Sequence, residues 1–332
     1  MTGAADPVTS EETASGGRSV VFQLLEAFCA GKGYRVTAGD PHGHAGHVES
    51  PTGKRWFFKG TRFDLNPYGA AEIANDKAYT CRFLKDAGIA VPASHFVPAA
   101  SIRSGKRPPE EVLDFAEETG FPLFVKPNEG QEGRDVMRVD TYHNLQNALH
   151  LQAKRNEAML VQEEIRGLDL RVLVLDGEVL CAFERRAPEV TGDGVSSLAE
   201  LVDAHPSIDP SDGRIDFELS QQALMLESVP EAGQTVTLLP VSNLSSGGSA
   251  RIITASLAPD LHALARLATR TLGLRYAGID LIVPFEQRPD TTAVVLEVNA
   301  APGLSNLYRQ GWEETAAVKQ VYETLFEAAF GT

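Results

Sequence analysis

The run Leu296-Glu297-Val298-Asn299-Ala300-Ala301-Pro302-Gly303 ends an apolar stretch with two oxygen-bearing side chains. Side chains alternate along a strand, so Glu297 and Asn299 share one face while Leu296 and Val298 turn to the core. A carboxylate and a carboxamide projecting together from a buried strand need partners. Both are hard oxygen donors, the kind Mg²⁺ prefers. Upstream, residues 276–283 form a second apolar run that contains Asp280. If these strands are neighbours, Asp280, Glu297 and Asn299 form a cluster that holds Mg²⁺ against nucleotide phosphates. The plainer alternative is a solvated strand end, with Asp280 capping a turn.

Two further stretches carry chemistry. In Pro122-Leu123-Phe124-Val125-Lys126-Pro127 a lysine follows four apolar or ring residues and precedes a proline. A lysine at the end of a buried strand needs an anionic partner. The loop after it, residues 128–134, carries Gly130 and Gly133 and can fold its backbone N–H groups over phosphate. It is neither a G-x-x-x-x-G-K-[ST] loop nor a G-x-G-x-x-G turn, so taken alone an ordinary surface hairpin fits it equally. The third stretch runs from Leu160 through Gln162-Glu163-Glu164-Ile165-Arg166-Gly167 to Asp169 and Arg171. An apolar strand passes into a polar hinge and then into a new strand. Such a hinge can read adenine through backbone groups while a carboxylate binds ribose hydroxyls; an interdomain linker is the alternative. Asp169 and Arg171 are two apart and share a strand face.

The elements that must position these groups alternate between helix and strand. The spacing predicts helices over residues 19–30, 70–87, 110–119, 145–154, 260–272 and 313–330. Strands are expected at 34–36, 56–58, 122–126, 158–165, 170–175, 178–184, 276–283 and 293–298, with an extended stretch over 89–97. Asp176-Gly177 is a favoured two-residue hairpin turn. Residues 101–109 read as a loop and the best subdomain junction, and 188–249 as a loop-rich stretch. The fold class is α/β (α+β) with a mixed sheet. The expected organisation is a disordered tail over 1–17, an N-terminal α/β segment over 18–100, a central subdomain over 101–165 and a C-terminal subdomain over 166–332.

Strung together in this order, the motifs resemble the ATP-grasp superfamily, in particular the ligase part of cyanophycin synthetases and bifunctional glutathione synthetases. The likeness spans roughly residues 70–310. It rests on Asn75-Asp76-Lys77 followed by residues 84–92, on Val125-Lys126-Pro127, on Arg171-Val172-Leu173-Val174 with Gly177, on Val190-Thr191-Gly192-Asp193-Gly194, on Asn243-Leu244-Ser245-Ser246-Gly247-Gly248, and on residues 297–303.

The resemblance implies two α/β subdomains clasping ATP, with the 101–165 block as the lid. Lys77 and Lys126 would contact phosphates, and the 128–134 loop would close over them. Gln162, Glu163 and Ile165 would line the adenine slot and Asp169 the ribose. Where many relatives carry a carboxylate this chain has Gln162, which can still accept from an adenine amino group. Asp280, Glu297 and Asn299 would bind two Mg²⁺ ions, with Mn²⁺ able to substitute. Lys126 and either Arg185 or Arg186 would be catalytic, the arginine stabilising an acyl phosphate and a tetrahedral intermediate. Strand alternation lets only one of that pair face the site. Arg171, Gly247, Gly248, Ser249 and Arg251 would contact substrate, the last four by holding a carboxylate. The implied reaction joins a carboxylate to an amine, between amino acids or small peptides, with release of ADP and phosphate. A small-molecule kinase on the same fold, or a nucleotide-binding module without catalysis, would use the same nucleotide site.

Composition bounds the partners. The chain of 332 residues carries 45 acidic against 30 basic side chains, a net charge of −15, which is a poor match for nucleic acid or an anionic membrane. No apolar run approaches the ~18 residues of a membrane helix, and the N-terminus lacks the basic-then-apolar pattern of a secretory signal. Cys29, Cys81 and Cys181 are far apart, which points to a reducing cytosol rather than to disulfides. Neither the Mur-ligase-like half nor the glutamate–cysteine ligase half of the similar families is recognisable, so a freestanding cytoplasmic ligase is expected, with a homodimer expected from relatives only. His42, His44 and His47 share one glycine-rich stretch but match no standard zinc spacing, and residues 63–69 read as a turn before a helix.

Overall fold

The computed structural model describes residues 17–105, 107–130, 133, 135–286 and 292–331. The tail expected over 1–17 lies outside the described residues except for Gly17. Contacts divide the chain into one unit made of the N-terminal residues up to Pro67 with Ala301–Thr332, and a second unit, Tyr68–Ala300.

In the first unit Ser19 begins helix α1 (Val20–Lys32) by accepting from the Phe22 amide at 3.2 Å, and Gly33 ends it at φ 68°. Strands β1 (Arg35–Ala38), β2 (Ala45–Glu49) and β3 (Arg55–Lys59) form an antiparallel sheet in that order. Strand β2 was not expected, because alanine, glycine and histidine fill its first three positions and Val48 is its one β-branched residue. A side chain at Gly46 would put its Cβ 2.2 Å from the Thr37 carbonyl oxygen, so the close pairing itself requires glycine. His47 therefore sits in a strand beside Phe57, and the three histidines do not gather into a metal-binding group. The same unit contains α10 (Ser305–Tyr308) and α11 (Trp312–Phe330), whose Tyr322, Phe326 and Phe330 recur every four residues and pack with Phe28 and Phe63.

The second unit opens with α2 (Tyr68–Asn75) and α3 (Lys77–Asp86) where one continuous helix was expected. Asp76 breaks the pair: it is extended, and its carboxylate caps the Tyr79 amide at 2.9 Å. Next come β4 (Ser94–Pro98), α4 (Ala99–Arg103), α5 (Glu110–Thr119), β5 (Leu123–Pro127), β6 (Met137–Val139), α6 (Tyr142–Gln152) and β7 (Ala158–Glu163). The four strands form a sheet in the order β4-β7-β5-β6 around a core of its own. Helix α4 replaces the front of the expected 101–109 loop because buried Ile102 anchors it to that core.

Strands β8 (Gly167–Leu175) and β9 (Glu178–Arg186) form the expected hairpin, with Asp176 and Gly177 at φ 49° and 83°. With β12 (Ser249–Ile252), β13 (Tyr276–Pro284) and β14 (Val294–Asn299) they make a five-stranded sheet in the order β12-β9-β8-β13-β14. Helix α9 (Pro259–Thr271) covers it, burying Leu261, Ala265 and Ala268. Between β9 and β12 lie β10 (Glu189–Thr191), α7 (Leu198–Asp203), α8 (Arg214–Gln221) and β11 (Thr235–Thr237). This stretch, read as loop-rich, has a separate small core of Leu198, Val202, Leu219, Val236 and Leu238.

The expected mixed sheet is not found: every pairing among the described strands is antiparallel. Alternation of helix and strand along a sequence does not determine strand direction, and here each strand's sheet neighbour runs back along it. No helix among the described residues is long and apolar enough to cross a membrane.

Candidate active site

The site is built on the register of the five-stranded sheet. On β13, Asp280 lies opposite Glu297 of β14 on one side and Arg171 of β8 on the other. Across the next pairing, Asp169 of β8 lies opposite Arg185 of β9. Directly opposed residues project to the same face of a sheet, so five charged side chains from four strands meet there. Arg171 donates from Nε and Nη2 to the two Asp280 oxygens at 2.6 and 2.7 Å. Arg185 donates to Asp169 at 3.0 and 2.7 Å and lies 3.2 Å from Asp280.

Burial works to raise the Asp280 pKa, but the Arg171 and Arg185 guanidiniums outweigh it and hold the carboxyl below the usual carboxylate range. Burial alone would lower the pKa of Arg185; its carboxylates, Asp280 first and then Asp169, raise it above the usual arginine value.

A register shift at Asp280/Leu281 breaks strict alternation between β13 and β14. Leu296, expected in the core, lines the cleft beside Glu297 as a result, while Val298 is fully buried as expected. Asn299 lies opposite Gly278, and its amide nitrogen is buried with no hydrogen-bond partner.

The two lysines arrive from elsewhere in the same unit. Lys77 is the first residue of α3 and Lys126 lies on β5; both are buried. Lys77 Nζ donates to the Gly130 carbonyl at 3.0 Å and lies 3.4 Å from Glu297. Lys126 Nζ donates to Gln162 Oε1 at 2.7 Å. Burial pushes the Lys126 ammonium below the ordinary lysine value, Glu297 opposes that shift, and Lys77 adds to it.

Asn128 ties the start of the glycine-bearing loop to α3. Its Oδ1 accepts from the Ala78 amide at 3.0 Å, its Nδ2 donates to Asp76 at 2.7 Å, and its carbonyl accepts from the Lys77 amide at 3.1 Å. Of that loop, Gln131, Glu132 and Arg134 lie outside the described residues.

The hinge passes along the cleft. The Glu163 carboxylate turns back to accept from the Ala93 amide at 3.1 Å. Glu164 pairs with Arg138 at 2.7 Å and Arg166 at 3.1 Å; burial works to raise its pKa, and the two guanidiniums hold it low. Among the described residues no backbone hydrogen bond engages Glu164 or Ile165. Their amides and carbonyls are free to serve a ligand. Gln162 keeps a buried, unpartnered Nε2.

Most of these groups line one cleft of about 760 Å³, within the range that holds small ligands and cofactors; Asn128, Arg171 and Asn299 do not border it. Lys77, Lys126, Gln162, Glu163, Ile165, Asp169, Arg185, Asp280 and Glu297 all border it. Of the arginine pair, Arg185 faces the cleft; Arg186 points away, with 60% of its side chain exposed and its Nε on Glu184 at 2.8 Å. Arg251 also pairs with Glu184 and is two-thirds exposed. The structure brings neither Arg251 nor Gly247, Gly248 or Ser249 to the cleft lining, and Arg171 stands behind Asp280. Gly248 has a packing reason instead: a Cβ there would lie 2.7 Å from the Arg186 carbonyl oxygen.

Sequence reasoning missed several lining residues, among them Arg138, Glu218 and Asn243. Glu218 sits on α8 with one carboxylate oxygen buried and unpartnered. Burial raises its pKa, Arg138 opposes, and Glu164 adds to the rise. Nothing in its local sequence signals that position. Asn243 stood in a motif that was noted, but its neighbours were chosen.

Among the described residues no three His, Cys, Asp or Glu side chains gather to hold a metal. The pair Asp280 and Glu297, with the Asn299 carboxamide nearby, is nevertheless the donor set that Mg²⁺ uses when substrate phosphates and water complete its shell. Asp280 keeps lone pairs for this, since a carboxylate has about four acceptor positions. The partnerless Asn299 nitrogen marks an amide whose oxygen takes the same place after a half-turn about its terminal bond.

Similarity to known proteins agrees with this geometry. Cyanophycin synthetase of Crocosphaera subtropica is 30% identical over 254 residues, which is 70% of this chain and 28% of that protein. The bifunctional glutathione biosynthesis protein of Listeria welshimeri is 28% identical over 223 residues, 62% of this chain and 29% of that one. The chain thus spans less than a third of either relative. The crystal structure of a bifunctional glutathione synthetase from Pasteurella multocida matches with a TM-score of 0.56 at 22% identity, over 92% of this chain and 44% of that one, a likeness of fold. Residues 74–199 and 241–321 match the RimK-like ATP-grasp domain, and they contain the cleft's lysines, its hinge and its sheet carboxylates; the chain belongs to the RimK-like ATP-grasp family.

Proposed function

We propose that the chain is an ATP-dependent carboxylate–amine ligase that joins amino acids or small peptides. The observation that carries this reading is the convergence of Lys77, Lys126 and Arg185 with Asp280 and Glu297 in one cleft. Cations and carboxylates are nearly balanced there, which suits a metal–polyphosphate that itself carries both signs.

A carboxylate is a poor electrophile. Transfer of the γ-phosphoryl group from ATP makes it an acyl phosphate and releases ADP; attack by an amine then forms the amide and releases phosphate. Lys77 and Lys126 hold phosphate oxygens, and their fixed positions avoid reorganisation during transfer. The hinge backbone at Glu163 to Ile165 holds the base, with Gln162 beside it, and Asp169 the ribose. Arg185, locked by Asp169 and Asp280, is placed to stabilise the acyl phosphate and the tetrahedral oxyanion. Asp280, Glu297 and Asn299 would hold two Mg²⁺ ions, or Mn²⁺ in their place, which when bound neutralise charge between the phosphates. The 101–165 block, with a sheet and core of its own, is the lid in this reading, since water would hydrolyse an acyl phosphate. A cytoplasmic location fits Cys29, Cys81 and Cys181, all buried free thiols. A homodimer rests on the resemblance alone and is tested by sedimentation equilibrium.

The deciding experiment is ADP and phosphate release from Mg·ATP across pairs of amino acids and dipeptides, with mass spectrometry of positive mixtures. A product one water lighter than the two substrates together establishes the ligase. ADP without free phosphate, together with a phosphorylated product, establishes a kinase instead.

A further inference from the structure

Helix α3 begins with three amides that have no partner inside the helix, those of Lys77, Ala78 and Tyr79. Asp76 caps the one at Tyr79. Asn128 takes the other two: its carbonyl accepts from the Lys77 amide at 3.1 Å, and its Oδ1 accepts from the Ala78 amide at 3.0 Å. Its Nδ2 donates at 2.7 Å to the Asp76 oxygen that the cap leaves over. These neighbours determine the amide orientation, since an N–H lies on one side and a carboxylate on the other. The Asn128 amide donates to the Ala158 carbonyl of β7 at 3.1 Å. Asn128 is 3% exposed, and each of its four polar groups is engaged.

These bonds join the start of α3 to the end of β5, and each of those places carries a lysine of the cleft. Lys126 precedes Asn128 by two residues, and Lys77 is bonded to Asn128 through its own amide. Gly130, two residues further on, accepts from the Lys77 ammonium at 3.0 Å. The two ammoniums repel, since Lys77 adds to the lowering of the Lys126 pKa. A fixed attachment must oppose that repulsion, and the Asn128 bonds supply one. The occupied amides also close the helix start to phosphate, which leaves phosphate contact there to the Lys77 side chain. We infer that Asn128 is a positioning residue that sets the separation of Lys77 and Lys126 and so readies both for one polyphosphate. It acts through the lysines, because it does not itself border the cleft. This rests on the nucleotide reading of the cleft.

The test is equilibrium binding of Mg·ATP and of adenosine, which keeps base and ribose and has no phosphate, by calorimetry on the full chain. Asn128→Asp keeps the acceptor for Ala78 but sets a second carboxylate against Asp76. Asp76→Asn keeps the cap on Tyr79 but sets a second amide donor against Asn128 Nδ2. Each should bind ATP about tenfold more weakly, the size of one charge-assisted phosphate contact, and adenosine within about twofold of the unmodified chain. The double variant Asp76→Asn/Asn128→Asp restores the bond with donor and acceptor exchanged, and should recover ATP affinity to within about threefold. Unmoved ATP affinity in a folded single variant overturns the inference. So do equal losses for ATP and adenosine, or a folded double variant that binds ATP no better than the singles. Hydrogen exchange on the unmodified chain decides the matter without variants. The Lys77 and Ala78 amides should be protected before any nucleotide is added; amides that exchange freely until ATP is present overturn the inference. An unmodified chain that binds no ATP overturns the nucleotide reading and this inference with it, whereas the other adverse outcomes overturn this inference alone.

Discussion

Arg185 on β9 bridges Asp169 and Asp280, at 2.7 and 3.2 Å, and so couples three strands of one sheet through a single buried guanidinium. The neighbouring Arg186 has no such part: it lies on the opposite face, its own side chain exposed and its guanidinium on the buried Glu184 carboxylate.

The two arginines should therefore behave differently. Arg185→Ala leaves buried carboxylates short of a partner and should cost about 3 kcal/mol of stability, measured by denaturant unfolding. Its ADP release should fall at least ~100-fold, and Arg185→Lys should recover stability more than turnover, because a lysine cannot reproduce the forked contact. Arg186→Ala removes one partner of the buried Glu184 carboxylate, which keeps Arg251, so it should cost about 1 kcal/mol and leave turnover unchanged.

Glu297 is a quarter exposed and its carboxylate is held only loosely, by Lys77 at 3.4 Å. Glu297→Ala should keep the unfolding midpoint close to that of the unmodified chain and abolish Mg²⁺-dependent ADP release. Near-normal turnover in the folded variant would sink its assignment as a metal ligand.

Asp280 gives an acid-dependent stability. Its carboxyl titrates lower in the folded chain than the ordinary 3.8, so its contribution is fully present above that value. It is lost as pH falls through the lower folded value, because the unfolded chain binds the proton first. Asp280→Asn should be less stable at neutral pH and show a shallower loss of stability below about pH 4, read from urea midpoints across pH.

Glu218 should show the reverse sign. Its pKa is raised by burial, so the stability linked to its proton is present below the ordinary 4.5 and lost as pH rises through the folded value. Glu218→Gln removes a buried carboxylate oxygen that lacks a partner. The variant should gain about 1 kcal/mol at neutral pH and lose that part of the pH dependence, measured by the same urea titration.

The chemistry of the cleft was legible because it is written in local pattern. Glu297, Asn299 and Asp280 stand out as hard oxygen donors at strand spacing in apolar runs, and Lys126 as a lysine ending one. Strand alternation also implied that only one of Arg185 and Arg186 faces inward. Which one does depends on pairing: Asp169 of β8 lies opposite Arg185, and that partnership joins residues 16 apart in the chain.

Other features were beyond local pattern because they are consequences of contact between distant segments. The all-antiparallel sheets follow from which strands lie side by side. The cleft position of Leu296 follows from the shift in register at Asp280, and the break at Asp76 from its extended backbone, which Asn128 of the glycine-bearing loop braces. Glu218 reaches the cleft only because the stretch between β9 and β12 folds around a core of its own. Gln162 shows the division most clearly. Its residue type and its place before the hinge are read from the sequence alone, but whether it donates or accepts is decided by the Lys126 ammonium 2.7 Å away. Residue types determine what chemistry is available; the tertiary contacts determine which atom of each residue is left to perform it.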